Sequence, residues 1–99
     1  MENGKETAMK RQAYILKTDG SKVPCSPKNG RDFHLEELKD AIGGGWIEIV
    51  YLKQRLLMVI DEEGKLKQLP LNYAATKLYN NSSDVIVGDA LVCSSSMIK

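Results

Sequence analysis

The chain has 99 residues, with 14 Lys and Arg against 13 Asp and Glu and a formal net charge of +1 at pH 7. That length leaves room for one hydrophobic core, and the near balance of charge removes the bulk basic signature of a nucleic-acid or membrane-surface binder. No run of about 18 apolar residues could span a membrane, residues 1–12 lack the apolar core of a secretory signal, and Cys25 and Cys93 come without a disulfide framework, so a cytoplasmic location with reduced thiols is expected.

Residues 1–12 hold too little apolar surface to bury a face and are expected as a flexible tail, leaving 13–93 as a single domain and 94–99 as a frayed end. Ala13 to Lys17 is a short run of strand formers, followed by the turn residues Thr18-Asp19-Gly20-Ser21. Lys22 to Cys25 is expected to return as a second strand. Pro24 has no N–H to donate, so this strand belongs at an edge. After a loop over 26–31, Asp32 is placed to cap a helix in which Leu35, Leu38 and Ile42 recur at helical spacing. Gly43 supplies the left-handed residue that ends it.

Trp46 to Leu52 alternates with period two, placing Ile47, Ile49 and Tyr51 on one face, and predicts a strand. Arg55 to Asp61 is apolar on both faces and lies one Lys53-Gln54 connection away. The two runs are expected to pair antiparallel, with the second in an interior, doubly covered position. A polar turn over 62–65 precedes Leu66 to Leu69, expected as an edge strand stopped by Pro70. Asn72 is placed to cap a short helix through Tyr79 that buries Ala75, Leu78 and Tyr79. Val85 to Cys93 predicts a last strand, bent at Gly88-Asp89.

This succession predicts an α+β domain, a mostly antiparallel sheet of 4–6 strands with two helices packed on one side, whose order resembles the β-grasp. From the first helix onward the chain also resembles the uncharacterised DUF3846 family of gut bacteria, phage and mobile elements. The pieces that carry the resemblance are Leu35-Glu36-Glu37-Leu38 with Gly43-Gly44-Gly45-Trp46-Ile47-Glu48, the hairpin around 57–66, Leu69-Pro70-Leu71-Asn72, and Asp84 to Val92. The resemblance places the pattern's polar positions on Glu48, Asp61, Asn72 and Asp89 and its glycines on Gly43, Gly44 and Gly88. It implies no catalytic role for any of them.

Candidate chemistry is sparse. Three glycines at 43–45 follow a helix and lead into a strand, the reverse of a phosphate loop, so they make a turn. Cys25 with His34 lacks a third, orienting group for nucleophilic catalysis. Cys25, His34, Asp89 and Cys93 lack paired metal-ligand spacing, so no metal and no cofactor is expected. Glu48, Asp61 and Asp89 could form an acid–base group only if their strands are neighbours, and solvated strand ends are the simpler reading.

The residues suited to binding are Trp46, Tyr51, Asn72 and Tyr73, an indole, two phenols and an amide able to line a groove. For Trp46 itself, following three glycines and preceding Ile47, packing over the first helix is expected ahead of an exposed anchor. The leading expectation is a non-enzymatic interaction or regulatory module of a bacterial mobile element or phage, binding a protein through a sheet face or edge. The alternative is a nucleic-acid-binding accessory domain. Residues 1–31 carry seven basic residues against three acidic, so Lys10, Arg11, Lys17, Lys22, Lys28 and Arg31 would hold phosphates while Tyr14, Trp46 or Tyr51 stacks on bases. A small hydrolase using Cys25 or the carboxylates ranks third.

Overall fold

Among the described residues, five short strands and two helices are joined by turns whose geometry the side chains dictate. The computed structural model describes residues 13–98; the expected tail over 1–12 lies outside them, as does Lys99. The elements are β1 (Ala13–Leu16), β2 (Lys22–Cys25), α1 (Leu35–Ala41), β3 (Ile47–Tyr51), β4 (Leu56–Asp61), α2 (Tyr73–Tyr79) and β5 (Ala90–Ser94), followed by a 3₁₀ turn at Ser95–Met97. The strands form one sheet in the order β2-β1-β5-β4-β3, and every neighbouring pair is antiparallel. The chain is therefore an α+β domain. The first and last strands are neighbours, but they run antiparallel, whereas a β-grasp pairs them in parallel.

The helices do not share a side of the sheet. Leu57, Val59, Leu91 and Cys93 face a core completed by Phe33, Leu38 and Ile42 from α1 and its flanks. Met58, Ala90 and Val92 face the opposite core, closed by Ala75 of α2 and by Ile86. Interior strands that are apolar on both faces need a cover on each face, so the expected one-sided packing gives way to one helix per face.

Local sequence explains each boundary. His34, not Asp32, is the N-cap of α1, and the Glu37 carboxylate accepts from the His34 N–H at 2.9 Å. Asp32 instead accepts from the Asn29 amide at 2.9 Å. At the other end, Gly43 N–H donates to Asp40 O and Gly44 N–H to Lys39 O, the paired bonds of a Schellman motif. Gly43 holds the left-handed φ of 91° that this motif needs. The hairpin between β3 and β4 turns on Gln54 and Arg55, one residue later than expected. Both have positive φ, and Leu56 N–H closes on Lys53 O. Because Leu56 O also accepts from Leu52 N–H, two residues face one, and a bulge absorbs the shift.

The expected strand over 66–69 does not form. Asp61 accepts from Glu63 N–H, and further bonds from Lys67, Gln68 and Leu69 N–H coil residues 62–69 into successive turns that leave Leu66 exposed. The expected last strand is regular only from Ala90. Upstream, Gly88 (φ 78°) turns the chain, and Leu71 and Val87 make an isolated bridge. Residues 94–98 do not fray: Met97 is buried and its carbonyl accepts from Phe33 N–H at 2.7 Å.

Asn72 ties these parts together. It is fully buried, its Nδ2 donates to Leu16 O at 2.9 Å and to Gly88 O at 2.8 Å, and its Oδ1 accepts from Ala75 N–H to cap α2. One side chain thus fastens β1, the turn before β5 and the start of α2. Replacing Asn72 by Ala is expected to cost about 2–4 kcal/mol, because the cap is lost and two carbonyls lose their donors. Asn72→Asp keeps the cap acceptor but not the donors and is expected to be no better. Urea denaturation measures both; a loss below about 1 kcal/mol for either would contradict this role.

Candidate interaction edge

The sequence-selected binding residues are not gathered in one groove. Trp46 stands 62% exposed just before β3; it does not pack beneath α1, although the Lys39 ammonium lies 4.7 Å from its ring centre. Tyr51, 74% exposed, marks the other end of the same strand. Tyr73 is exposed at the start of α2, and Asn72 is enclosed with all its polar atoms bonded. The structure therefore aligns Trp46 and Tyr51 along β3 and leaves the other two apart.

The basic residues are dispersed as well. Lys10 and Arg11 lie outside the described residues. Lys17 pairs with Asp89 at 3.0 Å, and the Lys22 ammonium sits 4.1 Å from the Tyr14 ring centre. Both belong to the turn end of the β1–β2 hairpin, whereas Lys28 and Arg31 follow its opposite end. Tyr14 is half-buried beneath Lys22 and does not present a free ring.

The two outer strands differ in what they offer. In an antiparallel ladder, alternate residues turn both N–H and C=O to the same side. Trp46 O accepts from Glu62 N–H, and Leu52 N–H donates to Leu56 O, so the even positions of β3 carry the ladder to β4. Ile47, Ile49 and Tyr51 therefore turn their backbone groups to the open edge. On β2, Lys17 N–H donates to Ser21 O, so odd positions bond inward and Lys22 and Pro24 face outward. A lysine and a residue with no N–H are the usual protection of an edge. The β3 edge carries neither.

Beside this edge, on the α1 face, lies an apolar trough of about 380 Å³ lined by Phe33, His34, Leu35, Leu38, Ile47, Ile49 and Ile98. Leu35 is 49% exposed along it. Sequence reading placed Ile47 and Ile49 on a common face and Leu35 and Leu38 on a helix, but the trough they share depends on α1 crossing beside an outer strand, which no local pattern encodes.

Asp61, Asp84 and Asp89 have structural partners. Asp61 is buried, accepts from Lys67 Nζ at 2.7 Å, and lies against Gly45, where an added Cβ would come within 2.7 Å of that nitrogen. Asp89 accepts from Thr18 N–H and pairs with Lys17. Glu48 shares a pocket of about 170 Å³ with Asp61, Glu62 and Asp84, while Asp89 is absent from its lining. Lys65 pairs with Asp84 and, with the Val85 N–H, holds that carboxyl below the usual range. Among the described residues, no three His, Cys, Asp or Glu side chains are grouped to hold a metal, and no helix is long and apolar enough to cross a membrane.

A family model described as a domain of unknown function, DUF3846, matches residues 9–97, which takes in every strand and helix of the described residues. The chain belongs to the DUF3846 family. The match includes β1 and β2, beyond the segment on which the sequence resemblance rests. No curated protein and no solved structure matches the chain.

In this DUF3846 chain the two thiols are poor nucleophiles. Cys93 is buried between the sheet and α1, and burial pushes its thiol up to about 12; burial and then the Glu37 charge raise that of Cys25. Raised thiol values mean that the native state favours the protonated form. That stability is fully present below the unfolded value and is lost as pH climbs from about 9 toward 12. A thiol-disulfide reagent at neutral pH is expected to label Cys25 slowly and Cys93 only on unfolding; rapid labelling of native Cys93 would contradict the packing.

Proposed function

We propose that the chain is a non-enzymatic interaction module of a bacterial mobile element or phage that engages a partner protein by accepting an extended segment as a sixth strand against β3. The observation that carries this reading is the row of outward-facing backbone groups at Ile47, Ile49 and Tyr51, bonded to no described residue, carrying no lysine or proline, and set beside the apolar trough. Strand addition draws affinity from main-chain hydrogen bonds and specificity from pockets for alternate side chains. The trough would receive every second side chain of the added strand, and exposed Trp46 and Tyr51 would flank it.

The nucleic-acid reading has less support. Two of its basic residues are engaged, by Asp89 and by Tyr14, and the described ones are split between opposite ends of the hairpin. An enzymatic reading would need reacting groups that converge. Asp61 and Asp89 are engaged by different lysines, and the thiols are held protonated.

Selection of displayed random peptides against the full chain tests the proposal. Enriched sequences are expected to alternate apolar with polar residues, and binding is expected to fall at least about tenfold in Ile49→Lys but not in Val23→Lys on the opposite edge. Absence of enriched peptides, or binding indifferent to Ile49→Lys, would count against it. Salt-sensitive binding of DNA or RNA at micromolar protein would favour the alternative.

A further inference from the structure

We infer that a second copy of this chain is the strand acceptor's own occupant in isolation: two β3 edges pair antiparallel about a two-fold axis at Ile49, joining two five-stranded sheets into one. This rests on the reading of β3 as a strand-accepting edge and adds the identity of the strand.

Three observations select it. The first is register. The outward groups sit on odd positions, so two copies can bond only where odd faces odd. Centring on Glu48 would set two carboxylates directly opposite each other, a destabilising arrangement. Centring on Ile49 avoids this and uses the whole strand. Ile47 then faces Tyr51 of the second copy, Glu48 faces Val50, and Ile49 faces itself.

The second is side-chain fit. Ile47 and Ile49 line the trough, so the facing Tyr51 and Ile49 of the second copy come in beside it on the same sheet face. The isologous arrangement repeats each off-axis contact, so the Ile47–Tyr51 pair forms twice around the single Ile49–Ile49 pair on the axis.

The third is area. Trp46 at 62% and Tyr51 at 74% exposure leave on the order of 300 Å² of aromatic surface per copy, given about 150–250 Å² for each ring residue. Two copies bring about 600 Å² together before Leu35 and the strands are added, which approaches the roughly 1,000 Å² of a specific interface. The other outer strand could not serve, since Lys22 and Pro24 occupy its outward positions.

Sedimentation velocity of the full chain over about 1–100 µM at physiological salt tests the inference. The unmodified chain is expected to shift from monomer to dimer with concentration. Ile49→Lys and Ile49→Glu each place like charges across the axis and are expected to stay monomeric, with dimer affinity down at least about thirtyfold. Mixed in equal amounts, they are expected to form a dimer of one Lys and one Glu chain, an outcome that a loss of folding could not produce. Tyr51→Asp alters an exposed position and is expected to be monomeric with an unchanged circular dichroism spectrum.

A monomer at every concentration, a Tyr51→Asp dimer as strong as the unmodified one, or failure of the folded Lys and Glu chains to combine would overturn the inference. If the chain is monomeric yet binds alternating peptides through Ile49, the second copy is excluded while the strand-accepting edge stands; if it does neither, both readings fall.

Discussion

The backbone groups of an outer β-strand alternate between bonded and open, and among the described residues none pairs with the open set on β3. A helix covers each face of the sheet, so side chains are buried above and below. Neither helix reaches around the edge to satisfy Ile47, Ile49 and Tyr51. A single bond to water is adequate for a lone amide, but a flat apolar row of them is a template for another strand. The opposite edge shows the contrast, because Lys22 and Pro24 sit at the positions where a neighbouring strand would need donors. The asymmetry of the two edges is what turns a plain sheet into a surface with a direction.

Polar residues elsewhere fasten the turns of the fold. Asn72 binds β1, the Gly88 turn and the first turn of α2. Asp61, at the end of β4, joins Lys67 and the Glu63 amide and so packs the coiled turns against Gly45, immediately before Trp46. Asp89 fixes the β1–β2 turn through the Thr18 amide and Lys17. These acids and the amide looked like candidate chemistry in the sequence. Their partners show that each fastens a turn, and the cost of leaving such buried groups unsatisfied explains why the turns have one conformation.

Period-two alternation in β3, runs of strand formers, turn residues and helical spacing sufficed for all five strand cores, both helices, the β3–β4 pairing and the edge position of β2, since Pro24 excludes an interior place. Asn72 as a cap was equally legible from its position before an apolar helical pattern. Other features depended on non-local contacts. Which face each helix covers follows from the apolar doubling of β4 and β5 seen together, not from either helix. The end expected to fray over 94–99 is pinned through its described residues because Met97 fills space beside Phe33, more than sixty residues earlier in the chain. Leu66 to Leu69 had strand-like composition, but Asp61 and Gly64 recruit it into turns. For the site, Trp46 and Tyr51 were identifiable as binding candidates, but their exposure, the open amides and the trough were not, because these are properties of sheet order.

Residue-resolved amide hydrogen exchange on the dilute chain tests the alternation of β3 most directly. Glu48 and Val50, bonded to β4, are expected to exchange slowly, while Ile47, Ile49 and Tyr51 exchange as open amides. Equal protection at all five positions would mean that the edge is already covered, and uniformly fast exchange would mean that β3 is not held in the sheet; either would contradict the account.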